Sequence, residues 1–478
     1  MKAFQINRFI FIAFMFMLFA IEQTPCFAQS FYFGADLSYV NEMEDCGAIY
    51  KVNNSPVDPY QVFSDSNANL IRLRLWHTPR WYDNLNQGNR YSDFQDVRQS
   101  ILRAKSAGMD VLLDFHLSDT WADPSHQVAP SAWTSVLGDL PVLQDSLYNY
   151  IYSTLEKLAN EDLLPELVQI GNETNREILL SQEVNDAGWT LDWNRNGPLF
   201  NTAIKAVRDI ETTFQSEIKI AIHIAGPADV YWYIDQFVDH GVTDFDIIGI
   251  SYYWQWHEQT FDEVGSVIST LKQDFPGKEV MIFETAYPWT STNADAANNI
   301  LSVAYPGLAP HSPAHQQEWI IGLTQAVIDN GGKGVIYWEP AWVSTGCRTL
   351  YGLGSHWDNA TFFNSNEELI SNGGIRWMTH PYDFILATKE PEDYRNQIEI
   401  FQAGEELIIK KNNGSNLNAS LTIQYFSLEG KMIHHHSFFP SWEKNTIRIL
   451  LPEILPGSYM VTLISEDHST ISKMIFKQ

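Results

Sequence analysis

Cysteine is scarce in this chain, three among 478 residues. Cys26 falls in an N-terminal leader, so covalent cross-linking comes down to Cys46 and Cys347. In an exported protein that pair forms a bridge or stays as two buried thiols, and the sequence leaves both open. Basic residues are also few. Thirty Lys and Arg face 58 Asp and Glu, for a net charge of −28. That field repels phosphate backbones and excludes nucleic acid as an expected partner. No Gly-rich phosphate loop follows the first strand-like run, which weakens an open dinucleotide-binding sheet. No G-x-S-x-G supports a serine hydrolase, and no zinc-type His pair occurs.

Long apolar runs are missing too, with one exception. Lys2 and Arg8 precede "FIFIAFMFMLFAI", and "EQTPCFAQS" follows. A charged start, an apolar centre and small residues at the end define a secretory leader, read here as residues 1–28 with the cut after Ala28. A retained anchor would need roughly 20 apolar residues. A lipid on Cys26 is disfavoured by the Thr-Pro before it. The mature chain is therefore expected to have no membrane span and to be secreted or held at the cell surface.

What the chain does have is apolar and aromatic residues. Hydrophobic residues make up 45%, enough for a large core, and there are 16 Trp and 21 Tyr. Aromatic rings fill cores and also stack on flat sugar faces. From residue 31, short apolar runs alternate with longer amphipathic stretches. The runs are "FYFGADLS", "NLIRLRLW", "DVLLDFH", "LVQIGNE", "IKIAIHIA", "FDIIGISYY", "EVMIFETAY" and "GKGVIYWEP". Each has the nearly continuous apolar character of a strand buried on both faces. Eight such units predict an α/β fold, a (β/α)8 TIM barrel over 29–380. A connector at 381–392 leads to alternating strands with Asn-Gly and Glu-Gly turns, a small C-terminal β-sandwich over 393–478. Within it, His434, His435 and His436 alternate faces, which argues against one shared metal site.

The runs end in polar or aromatic residues: Asp36, Arg74 with Trp76, His116, Glu173, His223, Tyr252 with Tyr253, Glu284, and Trp338 with Glu339. In a barrel those ends meet on the face that carries chemistry. Glu173 ends the fourth run and Glu284 the seventh, so the two face each other across the mouth. Two carboxylates across a sugar-sized cleft suit glycoside hydrolysis, one protonated and one ionised. Asn172 is placed to hydrogen-bond a sugar 2-hydroxyl. Tyr252 is expected to orient the nucleophile, Arg74 to hold Glu284 ionised, and Trp338 to form the floor under the reacting sugar. A single strand-end Glu is more often a solvated residue; the constellation carries the reading. The loop "ETAYPWTSTNADAANN" offers oxygen ligands but lacks calcium-loop spacing.

At "DFHLSDTWADPSHQVAPSAW", residues 114–133, the chain resembles glycoside hydrolase family 53, the endo-β-1,4-galactanases. "FGADLSYV", "IGNE", "DWNRNGPLFNTAIKAVR", "GISYYWQWH", "IFETAYPW", "GVIYWEPAW" and "WDN" follow the same pattern across about residues 31–365. The resemblance implies a retaining barrel enzyme that needs no cofactor, with structural calcium as an open option. It implies Glu173 as acid/base and Glu284 as nucleophile, with His116, Asp119, Trp121, Asn172, Tyr252 and Trp338 around the cleft. The implied substrate is β-1,4-galactan, as in pectic side chains and type I arabinogalactan. Trp254 stands where the family usually has Pro, and "TNREILLSQE" is also unusual, so product length stays open. A mannanase, a cellulase or an inactive glycan-binding barrel is the alternative. The tail, with "LTIQYFSLEGKMI", "LPGSYMVTLIS" and "KMIFKQ", resembles a type IX secretion sorting domain, which would make secretion machinery a partner.

Overall fold

The structure is a computed structural model. It describes residues 31–85, 88–184, 190–384, 398–403, 406–411, 421–426, 432–438, 440–441, 445–452, 457–465 and 470–477. The leader read at 1–28 and most of the 381–392 connector lie outside the described residues. No helix among the described residues is long and apolar enough to cross a membrane.

The eight apolar runs are eight parallel strands: β1 (Tyr32–Asp36), β2 (Leu70–Leu75), β3 (Asp110–Phe115), β4 (Leu167–Ile170), β5 (Lys219–Ala225), β6 (Ile247–Ser251), β7 (Glu279–Glu284) and β8 (Gly334–Tyr337). They close into a barrel, with β1 paired to both β2 and β8. Helices α1 (Val40–Asp45) to α9 (Pro313–Asp329) run between them; the longest are α4 (Leu140–Ala159) and α5 (Trp193–Phe214). Local chemistry starts these helices. Asp93 accepts the N–H groups of Gln95 and Asp96 ahead of α3 (Phe94–Ser106). Thr260 and Glu263 form a capping box on α8 (Phe261–Asp274).

Side chains pointing into the barrel change character from floor to mouth. Leu70, Leu112, Leu167, Ala221, Ile247, Met281, Phe283 and Ile336 form an apolar interior cluster. Two residues further along β2 and β3, the same face carries Arg72 and Asp114, both buried. Water is thus excluded beneath the site, and the polar layer above has only itself to bond. Gly249 makes room in the floor: a Cβ there would lie 2.3 Å from the Phe283 ring.

Cys46 and Cys347 form a disulfide that closes 301 residues of sequence. Barrel packing runs past the boundary read at 380, since Tyr382 is buried and stacks on Phe33.

The chain divides into two compact units, with the barrel unit spanning Phe31–Thr388. The C-terminal unit has two antiparallel sheets. One joins β9 (Ile398–Ala403), β10 (Glu406–Lys411) and β13 (Thr446–Leu450). The other runs β12 (Met432–Phe438), β11 (Leu421–Phe426), β14 (Gly457–Ser465), β15 (Thr470–Lys477). Leu407, Ile409, Leu421, Ile423, Val461 and Leu463 share one core between them, as in a sandwich.

Candidate active site

Arg72 organises the mouth of the barrel. It is 1% exposed, with four hydrogen bonds and one further ion pair on its guanidinium. Nε donates to Gln169 Oε1 at 3.0 Å. Nη1 reaches Asp36 Oδ2 at 2.9 Å and Glu284 Oε1 at 2.8 Å. Nη2 reaches Asp114 Oδ2 at 2.8 Å and Asn172 Oδ1 at 2.7 Å. One cation therefore serves three carboxylates.

Glu284 gains a second donor from Tyr253, whose hydroxyl lies 3.1 Å from Oε2. Alternation along β7 would turn Glu284 away from the barrel, because Met281 and Phe283 already point in. The register between β6 and β7 slips there, pairing Ser251 with Glu284 after Ile250 with Ile282. The extra residue is a bulge that re-aims the carboxylate inward.

Glu173 lies beyond the end of β4 in a left-handed backbone conformation, φ +47°. Glu339, after β8, has the same φ, and Leu117, after β3, is close at +54°. Backbone held in this region by non-glycine residues is costly and gathers at working sites. Ser251 Oγ lies 2.9 Å from His223 Nε2. Burial raises the Glu173 pKa, and the charge of Glu284 raises it further, while Ser251 draws it down. Burial raises Glu284 as well, helped by the charges of Asp36 and Asp114, while Arg72 and, less strongly, Tyr253 pull it back toward the ionised form. The pair is thus biased toward one protonated and one charged carboxyl.

Beside the carboxyls stands an aromatic wall. Trp121 and Trp338 lie 6.0 Å apart, and Trp357 packs 4.6 Å from Trp338. The Arg74 guanidinium sits 4.2 Å from the Trp121 ring, 4.7 Å from Trp76 and 4.9 Å from Tyr39. Its Nη1 pairs with Glu339 Oε1 at 3.1 Å.

Most of the strand-end residues read from the sequence gather here, but two exchange tasks with a neighbour. Arg74 does not hold Glu284; Arg72 does, because it lies one inward-facing position deeper in β2. Tyr252 does not reach Glu284; Tyr253 does. The Tyr252 ring instead stacks on Trp319 of α9, 6.0 Å away, and its hydroxyl donates to the Gln259 carbonyl. Asp36 is buried on Arg72 and Ser38. His223 is wholly buried, with burial holding its pKa well down, so it is a neutral link between Asn172 and Ser251. Asn172 Nδ2 donates to the Ala122 carbonyl, locking the amide. His116 Nδ1 lies 2.9 Å from Asp114 Oδ2, and its ring meets Trp121 edge-on. Asp119 is a brace, accepting from Thr78 N–H and from both N–H and hydroxyl of Ser131. Arg72, Asp114, Ser251, Tyr253 and Gln169 complete the site without having been assigned a task from sequence. The signal for Arg72 and Asp114 was present, since charged residues inside buried strands require partners.

The carboxylates in and beside the loop after β7 accept hydrogen bonds from the protein itself. Asp295 accepts the N–H groups of Ala297 and Ser355. Asp358 accepts from Ala294 N–H, Ser344 hydroxyl and Asn299 amide. No group of three His, Cys, Asp or Glu side chains placed to share a metal ion occurs among the described residues.

A parallel barrel with two facing carboxyls and an aromatic wall at its C-terminal mouth defines the retaining and inverting glycosidase class. The Glycosyl hydrolase family 53 profile matches residues 32–372. This chain belongs to that family. It is 48% identical to the arabinogalactan endo-beta-1,4-galactanase of Cellvibrio japonicus, across 71% of this chain and 88% of that protein. It is 34% identical to the endo-beta-1,4-galactanase of Bacillus subtilis, over 67% and 72% of the two chains. The solved GH53 catalytic domain of Ignisphaera aggregans superposes with a TM-score of 0.66 at 31% identity, covering 75% of this chain and 98% of that one.

Proposed function

We propose that this glycosyl hydrolase is an endo-β-1,4-galactanase acting on galactan and type I arabinogalactan by double displacement, with retention. Glu173 gives its proton to the leaving glycosidic oxygen as Glu284 attacks the anomeric carbon, forming a covalent galactosyl-enzyme. Glu173, now a base, takes a proton from water, which releases the sugar. The observation that carries this reading is the asymmetry of the pair. Glu284 is gripped by Arg72 and Tyr253, the condition for a charged nucleophile, whereas Glu173 is buried beside the charge of Glu284, the condition for an acid.

The test is chromatography of the products from linear β-1,4-galactan, with mannan and cellulose in parallel, and NMR of the anomer formed first. Galacto-oligosaccharides released as β-anomers are expected. Initial α-anomers overturn retention, and cleavage confined to mannan or cellulose overturns the substrate. Glu284→Gln is expected to abolish turnover while galacto-oligosaccharide binding survives.

The proposal extends to location: the 1–28 leader exports the chain, and the 393–478 domain acts as a type IX sorting signal. Deleting 393–478 in the native cell is expected to leave the enzyme in the periplasm. Normal export of the truncated chain overturns that part.

A further inference from the structure

Trp256 is 51% exposed, although it lies one ring from the nucleophile's partner. It sits in α7 (Trp254–His257), which begins three residues past the end of β6. Its ring packs edge-on against Tyr253, with centroids 4.9 Å apart at 75°. Tyr253 is the residue whose hydroxyl donates to Glu284. The turn that presents the indole is well braced. His257 Nδ1 accepts the Tyr253 N–H at 3.0 Å, and Trp254 packs on Tyr305 at 4.8 Å. Gln255 donates to the Ile300 carbonyl at 2.8 Å and accepts the Ser302 N–H at 2.7 Å. Those bonds bring Ile300 and Val303, about half exposed, alongside the turn that carries Trp256. An apolar strip is thus held rigidly in water at the rim of the site, where it has no use in the core.

Barrel order gives the strip a side. β7, which carries Glu284, lies between β8 and β6. Trp338 follows β8 and continues into the Trp121 wall. Trp256 follows β6, on the opposite side of the nucleophile. A sugar seated over Trp338 as the glycone therefore sends its leaving neighbour toward Trp256. We propose that Trp256 is the stacking platform for the aglycone galactosyl residue, with Ile300 and Val303 extending it along the departing chain. The apolar C–H face of a pyranose ring against an indole is the contact that such a platform supplies. The inference rests on the galactanase reading above.

The test compares two substrates that share a glycone. Linear galactan has sugars on both sides of the cut. β-Galactobiosyl fluoride has a single atom as leaving group and touches no platform. Trp256→Ala is expected to lower kcat/KM on galactan about tenfold or more, and on the fluoride no more than about twofold. Trp256→Phe is expected to recover part of the loss, with the melting temperature unchanged in both variants. Equal losses on both substrates overturn the platform, because the indole would then act only by propping Tyr253. No loss on galactan overturns it too. If the wild type cleaves another polysaccharide and not galactan, the galactan reading alone fails, and the same comparison is made with that polysaccharide and its glycosyl fluoride. Cleavage of no polysaccharide overturns both.

Discussion

Arg72 and Arg74 leave β2 from the same face, two residues apart, yet they organise different neighbourhoods. Around Arg72 four hydrogen bonds and an ion pair all end on oxygen, and the geometry is fixed by four strands besides its own or their ends. Around Arg74 there is one carboxylate and three rings, and Nε and Nη2 have no hydrogen-bond partner. The first is a device for holding charge in place. The second holds flat surfaces in place, with cation–π attraction in the role that hydrogen bonds play next door. Height in the barrel separates them: Arg72 lies among strand ends that converge, and Arg74 lies where the loops open.

The largest effect is expected from breaking the first neighbourhood. Arg72→Met leaves Asp36, Asp114 and Glu284 buried together without a cation. Removing one partner of a buried ion pair costs about 3–5 kcal/mol, which denaturant unfolding measures. Glu284 then loses its main counter-charge, so kcat on galactan is expected to fall roughly 10²–10³-fold. Arg72→Lys is expected to rescue little, because three donors on one nitrogen cannot reach five acceptors. An Arg72→Met enzyme with near-normal kcat would mean that Glu284 needs no such grip.

A smaller effect is expected from Arg74→Met. Burial and Asp36 push the Glu339 pKa up, with Arg74 opposing them. Once Arg74 is gone, Glu339 can take up a proton instead of remaining an unpaired charge, so the stability cost is about 1–3 kcal/mol. Activity is expected to fall mainly through a higher KM as the Trp121–Trp338 wall loosens. The double variant Arg74→Met, Glu339→Gln is expected to regain part of the stability. A kcat loss as deep as that of Arg72→Met, with KM unchanged, would erase the distinction between the two regions.

The sequence carried much of this, unevenly. Strand number and order were legible because a strand buried on both faces is written as an unbroken apolar run, as in "IKIAIHIA". Both arginines stand out inside such a run, but a period of two places them on one face without saying which meets Glu284. That depends on depth, which the stagger of neighbouring strands sets. The inward turn of Glu284 depends on a slip in pairing between β6 and β7, and no local residue type marks it. Asp119 belongs to a distinctive segment, yet its bonds to Thr78 and Ser131 make it a loop brace, and only tertiary contacts show that. The two cysteines were visible, but nothing in a separation of 301 residues announces their pairing.

The smallest contrast is the sharpest. Tyr252 and Tyr253 are adjacent, and alternation sends one outward to Trp319 and the other inward to Glu284. The Tyr253 hydroxyl favours the ionised form of Glu284, so Tyr253→Phe is expected to lift its pKa. In the double displacement proposed above, activity needs that carboxylate charged and falls as pH drops through its pKa. The acidic limb of the kcat/KM profile is therefore expected to move to higher pH, by up to about one unit, since a hydrogen bond of about 1 kcal/mol corresponds to most of a pH unit. In the same proposal the basic limb belongs to Glu173, and it is expected to move less, because Tyr253 bonds Glu284. Tyr252→Phe loses only a bond to the Gln259 carbonyl. It is expected to cost about 1 kcal/mol of stability and to leave both limbs where they are. Equal shifts from the two variants would mean that the profile follows general loosening of the β6 end, and not the oxygen that faces Glu284.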